Sequence, residues 1–319
     1  MTALYASTLS ASSILYENRS AQMEVAQHPL SIRAVDILLQ SQQSCRQLDE
    51  SNFSDIWRIR YIAETYLAEA GYKNRLCYSK FEAELSPTWQ VAAYSNLPEY
   101  IDNWITRKVY SIFQQSKVLF RTFFPTDKQS EAAFEKECAF WSDLDTAIEH
   151  TNGQNNGRGA LTKREVIHKQ MVFPETLSPE DENSEILLLY NYAPLRTGGE
   201  QLHFLLIPNP TKPAENFLEL DEQQYINVLS LAKKVTLWAE EVFEGQAVVH
   251  FFDKTGEIAG QTQPLFHAHL IIVKKGKEEV WGKVAMFLRM FMPPSPLSSK
   301  ELEHRVSHYK DGLGKFLAQ

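Results

Sequence analysis

One nine-residue run, LFHAHLIIV from Leu265 to Val273, constrains the fold more than any other stretch of the chain. It is apolar except for His267 and His269, and a short apolar run that follows a turn-rich segment is typical of a β-strand. Residues two apart in a strand share a face, so both imidazoles point the same way while Phe266 and Ala268 point the other way. The run therefore predicts a strand that presents two histidines on one surface.

Two neighbouring histidines do not by themselves define a site. The pattern also fits polar residues on a solvated sheet face, and a metal site needs a third ligand. No nearby cysteine or acidic residue has an obvious ligand spacing, so the sequence does not favour structural zinc. We expect no metal at these histidines.

Composition excludes several classes of protein. The chain has 319 residues and is 44% hydrophobic, which is enough to bury a substantial core in one large domain or two ordinary ones. Its 40 acidic and 32 basic residues give a formal net charge of -8, and no stretch concentrates lysine and arginine as a duplex-binding face does. We therefore do not expect a duplex-binding protein.

The cysteines and the N-terminal segment indicate the cellular compartment in which the protein is expected. The three cysteines, Cys45, Cys77 and Cys138, are widely spaced and form no C-x-x-C motif, which argues against a disulfide framework. The first twenty residues lack the basic start and apolar core of a signal peptide, and no window has the apolar length of a membrane span. We expect a cytoplasmic protein with no membrane association.

Residues 28–150 read as mostly helical, because apolar residues recur at helical spacing in four segments. In the second segment Ile56, Ile59, Ile62 and Tyr66 form one stripe, which predicts an amphipathic helix. Ser54 is placed to cap that helix and Gly71 to end it. The four predicted helical segments are His28–Leu48, Ser54–Tyr72, Pro98–Phe120 and Ser130–His150.

The periodicity changes after Thr151–Gly159, whose Gly and Asn density is typical of a connector or an exposed loop. We place a boundary there, between a helical domain of unknown role (1–155) and a second domain (156–319). The second domain contains four strand-like runs and a helix that starts near Asp221. Those runs are Glu185–Tyr192, Gln201–Pro208, Gln246–Phe252 and Leu265–Val273.

This order predicts an α+β fold in which an antiparallel sheet of hairpins packs against one helix, preceded by an all-α N-terminal domain. The tail adds two helical segments, 281–292 and 299–317, broken by a proline-rich stretch. We find no repeat between the halves, since the first half lacks both a His-x-His pair and a clear run of strands.

The second half resembles the histidine-triad superfamily of nucleotide hydrolases and transferases, whose signature is His-φ-His-φ-His-φ-φ on a strand, with φ apolar. Here the frame is Leu265-Phe266-His267-Ala268-His269-Leu270-Ile271, so leucine replaces the first histidine. A Gly-Gln-Ser/Thr tripeptide precedes the family's triad, and residues 260–262 supply it. LLLYNYAP and LHFLLIP match the strand-turn-strand upstream, and the resemblance covers Ala160–Lys275.

The resemblance implies a catalytic set. His267 would be the nucleophile, since a neutral imidazole is a good nucleophile near pH 7. His269 would bind the phosphate oxygens and stabilise charge during transfer, and Thr262 would contact the phosphate or help the leaving group. Thr262 also fits an ordinary turn residue.

The resemblance also implies a substrate-binding set: Asn191 on ribose hydroxyls, His203 at the start of its strand, Gly260 and Gln261 beside the phosphates, and Lys254 supplying charge there. Each has a structural alternative. Asn191 equally fits a turn residue at a strand end, His203 a buried structural histidine, and Lys254 a solvated loop lysine.

The expected activity is hydrolysis or nucleotidyl transfer at an α-phosphate through a nucleotidyl-histidine intermediate, with no obligatory cofactor. Dinucleoside polyphosphates, phosphoramidates and adenylates are the substrates that the resemblance implies, and a homodimer is in keeping with compact relatives. Leu265 leaves a second interpretation open: a catalytically decayed nucleotide-binding module whose helical domain binds a protein partner. The missing histidine would otherwise support the hydrogen-bonding network of His267.

Overall fold

The computed structural model describes residues 14–123, 128–142, 144, 169–174, 186–194, 202–208, 214–261, 265–276 and 295–318. Its strands form a single ten-stranded antiparallel sheet in the order β1-β2-β3-β5-β4-β9-β10-β8-β7-β6. In chain order the strands are β1 Ile14–Glu17, β2 Ala21–Val25, β3 Ile32–Leu39, β4 Arg75–Phe81, β5 Trp89–Ala93, β6 Met171–Phe173, β7 Ile186–Tyr190, β8 Leu202–Pro208, β9 Ala247–Thr255 and β10 Ala268–Lys274.

The helices pack on both faces of this sheet. They are α1 Glu50–Glu69, α2 Trp104–Phe123, α3 Glu131–Trp141, α4 Glu222–Val242, α5 Ser299–Tyr309 and the short α6 Lys315–Leu317. Two 3-10 turns, Cys45–Gln47 and Phe217–Glu219, precede α1 and α4, and a π-turn at Lys310–Gly314 joins α5 to α6.

The two faces of the sheet differ in chemistry. On one face α1 and α4 lie side by side over a continuous apolar core that includes Val35, Phe251, Ala268 and Leu270. On the other face α2 packs through Val118 in a smaller apolar cluster. The alternation along β10 therefore sends Ala268 and Leu270 into the main core, and His269 to the second face.

The sheet contains an internal repeat. Each half is a hairpin, a helix and a second hairpin, namely β2-β3-α1-β4-β5 and β7-β8-α4-β9-β10, and the halves meet where β4 pairs with β9. Asp49 and Asp221 cap α1 and α4 with the same capping box, and lie 172 residues apart, as do the starts of the two 3-10 turns at Cys45 and Phe217. The order of the elements therefore shows a repeat that the sequence pattern did not reveal.

The prediction of an all-α N-terminal domain is also wrong, because that half contributes β1 to β5. The segment His28–Leu48, predicted to be helical, contains β3, whose burial alternates through Val35, Ile37 and Leu39. Eight residues that are nearly all apolar satisfy helical and strand periodicity equally well, and pairing with β2 and β5 decides the outcome.

Other elements follow the sequence closely. The predicted helices at 54–72, 98–120 and 130–150 correspond to α1, α2 and α3, although α1 begins earlier and is capped by Asp49 rather than Ser54. Gly71 follows α1 at a positive φ of 86°, as predicted for its end. In the second half the four strands and the helix beginning after Asp221 are confirmed.

Some predictions fall on residues that the structure does not describe: the boundary loop Thr151–Gly159, the tail helix at 281–292 and Thr262. The division into domains at residue 155 stays a prediction. In the described part of the chain, no helix combines the length and the apolar character needed to cross a membrane.

A buried ionic network joins the two halves on the face of the sheet that α1 and α4 cover. The guanidinium of Arg60 on α1 is fully buried and lies 2.6 Å from both Glu64 Oε1 and Asp253 Oδ1. Arg75 completes it with an ion pair of 2.9 Å to Glu64, and the Tyr225 hydroxyl on α4 lies 2.7 Å from Arg60. Two positive and two negative charges balance, which a buried cluster requires.

Candidate active site

Three histidines meet on the second face of the sheet: His203 on β8, His269 on β10, and His267, which immediately precedes β10. His203 on β8 lies opposite Ile271 of β10, one strand step from His269. The ring centroids of His203 and His269 are 5.2 Å apart, and those of His267 and His269 are 4.9 Å apart. The structure therefore brings together three of the predicted site residues in a continuous row, His267-His269-His203.

A backbone carbonyl fixes the tautomer of His267. Its Nδ1 lies 2.8 Å from the carbonyl oxygen of Leu265. A carbonyl oxygen can only accept a hydrogen bond, so Nδ1 must carry the proton and donate it. In the neutral imidazole the lone pair is then on Nε2, which is the nitrogen available to a ligand.

The side chain of Leu265 holds that carbonyl in place. Leu265 is 4% exposed and packs in an apolar cluster with Leu187, Leu189 and Ile207 of β7 and β8. The next residue is anchored as well, because Phe266 donates its backbone N–H to the Ala214 carbonyl at 2.6 Å. The hydrogen bond that orients His267 therefore comes from the backbone at position 265, and does not need a histidine side chain there.

A second chain of hydrogen bonds fixes the polarity of His269. The backbone N–H of Ala193 donates to Asn191 Oδ1 at 3.0 Å, so the Asn191 amide nitrogen faces His203 and can only donate. Asn191 Nδ2 lies 3.2 Å from each ring nitrogen of His203, and His203 Nε2 lies 2.9 Å from His269 Nδ1. When the Asn191 amide donates to His203 Nδ1, His203 Nε2 is left to donate to His269 Nδ1, and the remaining proton of His269 is on Nε2.

His267 and His269 thus have opposite hydrogen-bonding roles at Nε2. Nε2 of His267 presents a lone pair, and Nε2 of His269 presents a proton. Phe252 on β9 stacks on His269 with ring centroids 4.7 Å apart and an interplanar angle of 13°. An acceptor nitrogen beside a donor nitrogen is suited to attack on a phosphorus atom whose oxygens need a hydrogen-bond donor.

Burial keeps the three imidazoles neutral. It is the main cause that lowers the pKa of His203 to about 3, and it lowers the pKa of His269 well below its ordinary value. Burial also lowers the pKa of His267, opposed by its hydrogen bond to Leu265 and assisted by the charge of Lys254. A neutral His267 retains its lone pair at pH 7.

Lys254 contributes a positive charge to the same face. It lies two residues along β9 from Phe252, with its Nζ 5.3 Å from the centroid of that ring. Burial lowers the pKa of Lys254 to about 8, so most molecules keep the charge at pH 7. Its electrostatic effect on all three histidines places it close to them.

The loop before β10 is braced by its own residues. Gln261 accepts from the Gly256 N–H at 2.8 Å and donates to the Glu215 carbonyl at 2.6 Å, so its amide holds the loop. Gly260 has a φ of +87°, and a Cβ there would come within 2.5 Å of Gln115 Oε1 on α2. The close approach at Gly260 is thus to a helix of the first half. Thr262 lies outside the described residues.

Sequence reasoning missed several contributors. The Leu265 carbonyl and the Ala193 N–H leave no residue-type signal, because any amino acid supplies them. Phe252 follows from the alternation along β9, which puts it on the same face as Lys254. Gln115 lies in the half thought to be a separate helical domain. Within the described residues, no group of three or more His, Cys, Asp or Glu side chains is arranged to hold a metal ion.

Comparisons with known proteins identify the fold. No protein-family model matches the chain, and no curated protein matches it by sequence. A solved structure of a uridylyltransferase mutant matches at a TM-score of 0.50 with 8% sequence identity, over 92% of this chain and 90% of that one. An ADP-glucose phosphorylase from Arabidopsis thaliana with bound ADP-glucose matches at a TM-score of 0.49 with 12% identity, over 91% of this chain and 82% of that one.

At such low identity the likeness to the uridylyltransferase is one of fold alone. The comparison therefore shows a fold shared with that structure, and the superfamily that residues 260–271 resemble stays a prediction.

Proposed function

We propose that this chain is a member of the histidine-triad superfamily and an enzyme that acts on nucleotides at an α-phosphate through a nucleotidyl intermediate on His267. The observation that carries the proposal is the hydrogen bond of 2.8 Å between His267 Nδ1 and the Leu265 carbonyl. It gives a buried, neutral imidazole a lone pair at Nε2, which is the requirement for a histidine nucleophile.

In the first step, Nε2 of His267 forms a bond to the α-phosphorus, and the bond from phosphorus to the leaving group breaks with its electron pair. The ring gains positive charge, which the Leu265 carbonyl stabilises by accepting from Nδ1. In the second step an acceptor attacks phosphorus, the bond to Nε2 breaks, and the neutral imidazole is regenerated. Water as the acceptor gives hydrolysis, and phosphate or a phosphate ester gives transfer.

His269 and Lys254 would stabilise the negative charge that develops on the phosphate oxygens. His269 donates from Nε2 to a non-bridging oxygen, since its Nδ1 is occupied by His203. Lys254 supplies a full charge on the same face. Preorganised donors of this kind are typically the largest single contribution to catalysis of group transfer. Gly260, Gln261 and Thr262 would shape the phosphate-facing loop.

A nucleotide substrate is favoured by the fold. One solved structure with this fold is, by its name, a uridylyltransferase. Transfer of a uridylyl group is chemistry at a nucleotide phosphate. The candidate substrates are therefore nucleotide sugars, dinucleoside polyphosphates, phosphoramidates and adenylates, which all present an α-phosphate joined to a leaving group.

The rival function is a nucleotide-binding module without turnover, which the sequence suggested because Leu265 interrupts the triad. One observation weighs against it: the tautomer of His267 is set by the backbone of Leu265, and its orientation does not depend on the missing imidazole. The rival predicts nucleotide binding that is unaffected by loss of the His267 nucleophile.

Turnover separates the two functions. The purified chain is incubated with the four substrate classes, with water alone or inorganic phosphate as acceptor, and the products are resolved by chromatography. We expect turnover of at least one class by the wild type and none by His267→Asn, while His304→Asn, an exposed position on α5, retains full activity. Nucleotide binding without turnover by wild type would exclude the enzymatic proposal.

A further inference from the structure

A patch of large apolar side chains lies open on α2 and the residues just before it. Five of the ten large apolar side chains that are exposed in the described part of the chain fall within positions 100–113. This set, called here the α2 face, consists of Tyr100 (84% exposed), Trp104 (70%), Ile105 (52%), Val109 (61%) and Phe113 (59%). Exposed apolar groups concentrated in this way mark an interaction surface.

The inner side of the same helix is firmly attached. Val118 packs with Leu30 and Leu76 on the second face of the sheet. Ser111 Oγ and Gln115 Nε2 both donate to the Ile258 carbonyl, at 3.0 and 3.2 Å. These contacts hold α2 from Ser111 onward, and residues 102–109 before them are all exposed.

All the charged residues of α2 are basic. The helix carries Arg107, Lys108, Lys117 and Arg121 and has no acidic residue, although the whole chain has a net charge of -8. The nearest acidic residues in the sequence are Asp102 before the helix and Asp127 after it.

The basic residues flank the apolar stripe. At 100° per residue, Ile105, Val109 and Phe113 share one side, and Lys108 and Lys117 fall on opposite flanks of it. Lys117 Nζ lies 5.8 Å from the centroid of the Phe113 ring. An apolar stripe that contains Phe113 and is bordered by basic residues is the pattern of helices that lie in the surface of an anionic membrane, and Trp104 is exposed at the start of the same helix.

We infer that the α2 face docks this protein peripherally on an anionic lipid surface. The apolar side chains would enter the boundary between headgroups and acyl chains, and the flanking lysines would remain among the headgroups. This inference departs from the sequence-based expectation of no membrane association, which was drawn from the lack of a spanning segment and of a signal peptide.

The charges favour a lipid surface over a second copy of the chain. Antiparallel contact between two α2 faces would bring Lys108 and Lys117 of one copy against the same basic helix of the other, and like charges at an interface are unfavourable. Anionic headgroups satisfy all of them at once. Since α2 packs on the second face of the sheet, the docked protein would also hold the histidine row on its membrane side.

Co-sedimentation with vesicles tests the inference. The full chain is mixed with vesicles of phosphatidylcholine alone or of phosphatidylcholine and phosphatidylserine in equal parts, at low and high salt. Because each basic residue near such a surface favours binding, we expect partition to the mixed vesicles to exceed partition to the neutral ones about tenfold, and to weaken with salt.

Two double variants and one matched control complete the experiment. Val109→Asp with Phe113→Asp removes the apolar stripe, and Lys108→Glu with Lys117→Glu reverses the flanking charges. Each is expected to reduce binding about tenfold or more. The control, Lys234→Glu with Lys300→Glu, makes the same change of charge at exposed positions on α4 and α5 and is expected to bind as wild type does.

All the substituted side chains are exposed, so circular dichroism and the midpoint of thermal unfolding should match those of the wild type. Equal sedimentation with both kinds of vesicle, or none, would overturn the inference. So would self-association of the wild type that Val109→Asp with Phe113→Asp abolishes while vesicle binding stays absent, because the α2 face would then be a contact between copies or with another protein.

Discussion

At the scale of single residues, two backbone groups determine what the histidines can do. The Leu265 carbonyl leaves the lone pair of His267 on Nε2, and the Ala193 N–H, acting through Asn191 and His203, leaves a proton on Nε2 of His269. The residue types at 267 and 269 therefore specify imidazoles, whereas their tautomers come from neighbours that any sequence would supply. This is why the histidines are recognisable in the sequence and their division of roles is not.

The pH dependence of activity follows from two pKa values. His267 must be neutral, and its pKa lies below the ordinary value of 6.5, so kcat/KM should fall about tenfold per pH unit only below that lowered pKa. Lys254, with a pKa of about 8, should lose its charge above that pH and produce an alkaline decline. A pH–rate profile with a flat region between the two limbs is expected.

Lys254→Met provides the control for that assignment. It removes the alkaline limb, and it removes a charge that lowers the pKa of His267, so the acid limb should move to higher pH. An alkaline limb that persists in Lys254→Met would show that another group titrates there.

Asn191→Asp tests the polarity of the hydrogen-bond chain. A carboxylate can only accept, so His203 Nδ1 would have to donate to it, His203 Nε2 would become the acceptor, and His269 would lose the proton on Nε2. We expect kcat to fall about a hundredfold, as for loss of one donor to a transition-state oxygen, with the fold intact. Asn227→Asp, on the far helix α4, should leave kcat unchanged.

At the scale of elements, α1 shows what periodicity reveals and what it hides. Its stripe of Ile56 and Ile59 is buried as the spacing predicts. Arg60 and Glu64 on the same helix are buried too, although an Arg-Glu pair four residues apart is usually an exposed surface pair. Their burial depends on Asp253 and Arg75, which come from other elements and have no local signature.

Asp253→Ala should therefore be strongly destabilising. It leaves Arg60 buried without one of its two carboxylate partners, and breaking a buried ion pair typically costs about 3–5 kcal/mol. The free energy of unfolding, measured by urea titration, should drop by that amount, against a change below about 1 kcal/mol for Glu84→Ala, whose ion pair with Arg46 is exposed. Equal small changes in both variants would contradict the role given to the network.

The strands of the first half show the limit of pattern reading more plainly. β4 and β5 carry buried residues on both faces of the sheet, so a period of two is weak in their sequences. The strands of the second half could be predicted because histidine, asparagine and glycine mark the positions and ends of its apolar runs.

At the scale of the whole molecule, the repeat makes one sheet out of two similar halves. β4 and β9 pair along seven residues, from Arg75 opposite Thr255 to Phe81 opposite Val249, and the Arg60 network crosses the same junction. The first half also reaches the candidate site directly, through Gln115 against Gly260. A helical domain appended to a separate catalytic domain would have none of these contacts.

We expect the two halves to unfold together. Native-state hydrogen exchange in increasing urea should give the amides of β4 and β9 the same free energy of opening, since neither strand can leave without unpairing the other. Loss of protection in β3, β4 and β5 at lower urea than in β8, β9 and β10 would instead support two independently folding domains divided near residue 155.

The central claim is that His267 becomes covalently nucleotidylated during turnover, and mapping of that adduct tests it most directly. The enzyme is quenched in acid-free conditions during reaction with a turned-over substrate, digested, and examined by mass spectrometry. We predict a nucleoside monophosphate mass on the peptide that contains His267, absent from His267→Asn and retained in His304→Asn. An adduct on any other residue, or turnover without an adduct in a quench fast enough to capture it, would contradict the account.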